Sequence, residues 1–150
     1  MTKLLMSLAI LSVALVGFGG RRQDDVSAEL KKLRGSWRLV AETDDGRNMP
    51  PEEVKKYNIL TFDIAGRWKV EIDGKVVGQG TARIDPTTTP KTIDYTFTLG
   101  ESAGSGFAAI YELEGDSFRH CGVLQGARPS EFSSKPGSGQ ILTTFHRVKE

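Results

Sequence analysis

The chain has 150 residues, 38% of them hydrophobic, a formal net charge of +1 and one cysteine. That is enough apolar material for a single domain with a core of its own, needing neither a metal nor a disulfide. The balanced, interspersed charge excludes the clustered positive surface that nucleic acid or an anionic membrane demands. With Cys121 alone, no internal disulfide can form.

In chain order, Lys3 precedes an apolar run over residues 4–18 that ends in small residues ahead of Arg21 and Arg22. This is the layout of a secretory signal, and at about 15 residues the run is shorter than the ~20 needed by a spanning helix. The expected division is a signal over residues 1–20, a charged tether over 21–32 with at most one helical turn, and a folded domain over 33–150. The implied location is exported, whether periplasmic, cell-envelope or secreted, with no transmembrane domain after signal removal; an uncleaved signal that anchors the chain is the alternative.

From Leu33 onward, short stretches alternate apolar and polar residues and end at turn signals, the pattern of antiparallel strands with one buried face. The first places Trp37, Leu39 and Ala41 on one face. Pro50 and Pro51, with Glu52 and Glu53 leading and Lys55 and Lys56 trailing, then fit one short helix and its dipole. Leu60, Phe62 and Ile64 line the next strand, and Trp68, Val70 and Ile72 the one after it. Asp73-Gly74 is a hairpin signal. Residues 75–85 follow, then Ile93, Tyr95, Phe97 and Leu99 on one face, Phe107, Ala109, Tyr111 and Leu113 on another, and two last strands over 118–123 and 140–149. Eight short strands without helical crossovers predict an all-β, antiparallel up-and-down barrel that leaves no free edge. A two-sheet sandwich is the alternative.

Gly35-Ser36-Trp37 resembles the G-x-W opening of the lipocalin superfamily. Similarity to a family of small exported lipocalin-like domains of planctomycete-type bacteria extends over residues 33–147. It is carried by Gly35-Ser-Trp-Arg-Leu-Val40, Leu60-Thr-Phe62, Lys75-Val-Val-Gly-Gln-Gly-Thr81, Asp85-Pro86, Pro90-Lys-Thr-Ile-Asp94, Ile110-Tyr-Glu-Leu-Glu-Gly-Asp116, Arg128-Pro129 and Phe132-Ser-Ser-Lys-Pro-Gly-Ser-Gly139. The resemblance implies a fold and an envelope location and brings no catalytic residues. It also implies a structural latch in which Arg147, inward if Ile141, Thr143 and Phe145 are inward, covers Trp37, a contact worth about 0.5 to 2 kcal/mol. Gly122 and Val123 depart from the more apolar or aromatic residues expected after Cys121.

Residues able to carry chemistry are few. His120 and Cys121 are strand neighbours and point to opposite faces, so they cannot form a nucleophile and base pair. His146 is expected to point outward, and two histidines without a third ligand make a poor zinc site. The acidic pairs Asp24-Asp25, Asp44-Asp45 and Glu52-Glu53 read as solvated charge. No catalytic residue, metal ligand or cofactor motif results, and Cys121 reads as a small core side chain.

On the fourth strand the inward face reads Gly78, Gly80, Ala82 and Ile84, which leaves the interior lean unless Trp68 or Tyr95 lies over the glycines. The expected ligand wall is Trp68, Gly78, Gly80, Ala82, Tyr95, Phe97 and Tyr111, with Phe132 of the 128–140 loop as a lid. A leucine at Gly80 is expected to block loading and spare the fold. The function expected is non-enzymatic binding of a small apolar or lipid-like ligand by a monomer. The alternative is a dry-core envelope domain that meets a protein partner.

Overall fold

The computed structural model describes residues 18–149. The expected signal therefore lies, except for its last residues, outside the described residues. Helix α1 (Phe18–Leu33) leads into strand β1 (Gly35–Asp44), a two-residue strand β2 (Arg47–Asn48) and the short helix α2 (Pro51–Val54). Strands β3 (Tyr57–Phe62), β4 (Arg67–Ile72), β5 (Lys75–Asp85), β6 (Lys91–Phe97), β7 (Gly106–Glu114), β8 (Ser117–Val123) and β9 (Ile141–Arg147) complete the chain.

Every pairing is antiparallel, and β9 returns to β1 through Trp37↔Arg147, Leu39↔Phe145 and Asp44↔Ile141. Eight strands thus close into an up-and-down barrel, with β2 appended to the end of β1 at Thr43↔Asn48. One continuous closed sheet excludes the sandwich. The Asp73-Gly74 turn, with φ of 50° and 75°, joins β4 to β5 in the left-handed geometry a two-residue hairpin requires.

Three local expectations are corrected. Residues 21–32 are not a tether but most of α1. Val26, Glu29, Leu30 and Leu33 recur at the spacing of one helical face; Leu33 and Glu29 are buried, and Val26 and Leu30 pack against the core. Ile64 does not continue β3, because the Asp63 carboxylate accepts from the amides of Ala65 and Arg67 and turns the chain there, leaving Ile64 half-exposed. In β1 a bulge falls between Leu39 and Ala41. The additional residue reverses the alternation, so Ala41 is exposed and Glu42 faces Thr143 across the barrel's inner wall.

The end of the barrel beneath α1 is closed and filled. Trp37, Phe62 and Phe118 meet there, with centroids 5.6 Å apart for Trp37–Phe118 and 6.0 Å for Phe62–Phe118. The last carbonyls of α1 lack helical partners, and the barrel supplies them: the Trp37 indole donates to Leu33 O at 2.8 Å, and Arg147 donates to Lys32 O at 2.6 Å and Arg34 O at 2.9 Å. The same guanidinium lies 4.1 Å from the centre of the Trp37 ring. Trp37 and Arg147 therefore join first strand to last and cap the helix as well.

On the side of α1, the buried Glu29 carboxylate accepts from Lys91 Nζ at 2.6 Å and from the Tyr111 hydroxyl at 3.2 Å. Burial works to raise this carboxyl, but Lys91, Tyr111 and Lys32 together hold it below its ordinary value.

Candidate functional site

Beyond the packed half, the barrel contains a cavity of about 280 Å³ that opens away from α1. Leu39, Leu60, Val70, Trp68, Tyr95, Phe97, Phe107 and Phe145 supply most of its wall, and Ile59, Ile141 and the half-exposed Leu124 stand toward the mouth. Strand alternation puts these side chains inward. Trp68 anchors one wall: its indole donates to Thr81 O at 3.1 Å, and its ring meets Phe97 and Tyr95 edge-on at 5.2 and 5.8 Å.

Three polar residues interrupt this apolar lining, and all three escaped the sequence reading as site residues. His120 and Thr143 are paired across β8 and β9, and Thr143 and Glu42 across β9 and β1. The Tyr95 hydroxyl and His120 Nδ1 are 2.8 Å apart, and Thr143 Oγ1 donates to Glu42 Oε2 at 3.2 Å. Burial pushes the imidazole down to about 3, so it is neutral. Burial also raises the Glu42 carboxyl, with Asp44 adding to the effect and the Thr143 hydrogen bond opposing it.

Of the expected wall, the structure brings Trp68, Tyr95 and Phe97 together on the cavity. Gly78 and Gly80 face inward but do not border it, because the Trp68 indole covers them: a Cβ on Gly78 would sit 3.6 Å from that ring, and one on Gly80 3.1 Å from it and 1.7 Å from Thr96 O. The space left by the glycines is indole-filled, and a leucine at Gly80 would break the β5–β6 approach rather than spare the fold. Ala82 packs into the core beside the Gly66 turn, its amide bonded to Gly66 O at 2.7 Å. Tyr111 points to the closed end and Glu29. Gly122 has a comparable use, since a Cβ there would stand 2.6 Å from the Phe107 ring that covers it.

Phe132 is not a lid. The loop between β8 and β9 lies along the outside of the barrel, where Phe132 packs beneath the Arg119 guanidinium, 4.2 Å from its ring centre. Arg128 fastens this loop by donating to Ala109 O and to Asp94 Oδ1, both at 2.7 Å. Cys121 is sealed under it, its thiol donating to Ser133 O at 3.2 Å, and burial raises that thiol above its ordinary value. His146 is exposed and pairs with Ser117, far in register from His120, which pairs with Thr143.

Among the described residues no cluster of three or more His, Cys, Asp or Glu side chains could hold a metal ion, and no helix is long and apolar enough to cross a membrane. Comparison of the chain with protein-family models, with curated proteins and with solved structures finds no match.

Proposed function

We propose that this protein is an exported, non-enzymatic binding domain of lipocalin-like type that holds a small apolar ligand in its barrel. The cavity of about 280 Å³ carries this reading. It is almost twice the roughly 150 Å³ of an apolar cavity that takes up benzene, and its wall is mostly aromatic and aliphatic. Burying about eight methylene-sized groups there would gain roughly 6 kcal/mol before the cost of lost ligand freedom. The closed end supports the same reading, because a rigid base lets the other half stay open without loss of the fold. The G-x-W opening and the Arg147–Trp37 stack support the lipocalin-like assignment, and the apolar run over residues 4–18 supports export.

The rival reading, an envelope domain that meets a protein partner, is favoured by the densely packed half around Trp37 and Phe118. Native mass spectrometry of the protein purified from its own source, before and after extraction with organic solvent, separates the two. A carrier shows a bound mass that extraction removes; an envelope domain shows only the mass of the polypeptide in both states.

A further inference from the structure

The wall of the cavity is charged at one point. His120, Thr143 and Glu42 form a lateral row across β8, β9 and β1, since inward residues opposite one another in an antiparallel pair stand about 5 Å apart at Cβ. Glu42 is the single charged side chain in that lining among the described residues, and no lysine or arginine shares it. His120 does not supply the missing positive charge, because aromatic rings enclose it and burial keeps the imidazole neutral. A carboxylate guest would therefore meet a carboxylate and no cation. A protonated amine would meet an acceptor of opposite charge.

The surroundings suit a cation in two further ways. Thr143 spends its proton on Glu42, so its oxygen still has a lone pair to accept from a guest N–H. Trp68, Phe107 and Phe145 present ring surfaces to the same space, and aromatic faces attract ammonium groups. Glu42 is only partly buried, which limits the desolvation that an ion pair with it must overcome.

Resting on the reading of the barrel as a carrier, we infer that its ligand is a small apolar amine. The ammonium sits on Glu42 and Thr143, the hydrocarbon body lies between Trp68, Phe107 and Phe145, and carboxylates of equal size are refused. The test uses three phenyl probes of nearly equal size and different heads: phenethylamine, phenethyl alcohol and phenylacetate, each titrated calorimetrically into the purified chain at neutral pH. The amine should bind at least about tenfold more tightly than the alcohol, as a charge-assisted contact requires, and phenylacetate should give no measurable heat of binding.

In Glu42→Gln the amine's advantage over the alcohol should vanish, since the carboxylate that pairs with the ammonium is gone. If amine and alcohol bind equally to the unsubstituted chain, or phenylacetate binds best, the amine inference is overturned and the carrier reading stands. If none of the three binds, both are overturned. Should Glu42→Gln fail to fold, the ranking of the three heads on the unsubstituted chain decides the matter alone.

Discussion

His120 is the residue through which acid should loosen this barrel. Its ring lies 5.4 Å from the rings of Tyr95, Phe107 and Phe145 and 5.6 Å from that of Phe118. Burial holds it neutral to about 3, against 6.5 for a free imidazole. In the unfolded chain the group takes up a proton near its ordinary value; in the barrel it does not. The stability associated with neutral His120 is thus fully present above about pH 6.5 and drains away as pH falls toward 3.

Between pH 7 and about pH 4.5 this single group should remove on the order of 2 to 3 kcal/mol, a large part of the 5–15 kcal/mol typical of a folded domain. Glu29, lowered in the fold, also loses stability on acidification, and Glu42, raised in the fold, has the opposite sign. Both persist in His120→Asn, which keeps an acceptor near Nδ1 and does not titrate. Urea unfolding of the two proteins across this pH range, followed by tryptophan fluorescence, isolates the imidazole as the difference in slope. Parallel pH profiles would refute the assignment of His120 as a buried neutral group.

Three further predictions concern the frame. Gly80→Ala should cost about 3 kcal/mol or more, because its Cβ would overlap Thr96 O; a melting temperature within about 2 °C of the original would contradict that close approach. Arg147→Met keeps the stem of the side chain and removes its guanidinium from the Trp37 face and from Lys32 O and Arg34 O. A loss of about 1 to 3 kcal/mol is expected, with faster amide exchange in the last turn of α1; exchange unchanged there would deny the capping role. Arg128→Ala frees the outer loop from Ala109 O and Asp94, so Cys121 should react with a thiol reagent at least about tenfold faster. An unchanged labelling rate would mean that the loop is held by something other than Arg128.

The barrel was legible because strand after strand keeps its alternation, most plainly from Ile93 to Phe97 against Thr92 to Thr96, and because tight turns such as Asp73-Gly74 allow only antiparallel neighbours. What the sequence concealed has local causes. The bulge beside Val40 carries no signature in residue type, so parity placed Ala41 inside and hid Glu42, the one charged side chain in the cavity lining among the described residues. In α1 the high charge density masked a Val26, Glu29, Leu30, Leu33 face whose acid is inward only because Lys91 and Tyr111 receive it.

Gly78 and Gly80 were rightly assigned to the inner face, but the absence of a side chain does not say whether the space stays empty, and Trp68 fills it. Thr143 was also expected inward from its place beside Phe145, yet nothing in one strand reveals that it stands between His120 and Glu42. That row exists only through the register of three strands. Phe132 was misplaced because a lone aromatic in a long loop has no periodicity to orient it.

The central claim is that the barrel holds an unfilled apolar space. A crystal of the protein under xenon pressure measures it directly, since xenon enters apolar cavities without needing any polar partner. Xenon density bounded by Trp68, Phe107 and Phe145 is the result expected. An interior closed by Leu60 and Trp68 packed against Phe145, with xenon absent from the barrel, would contradict the account.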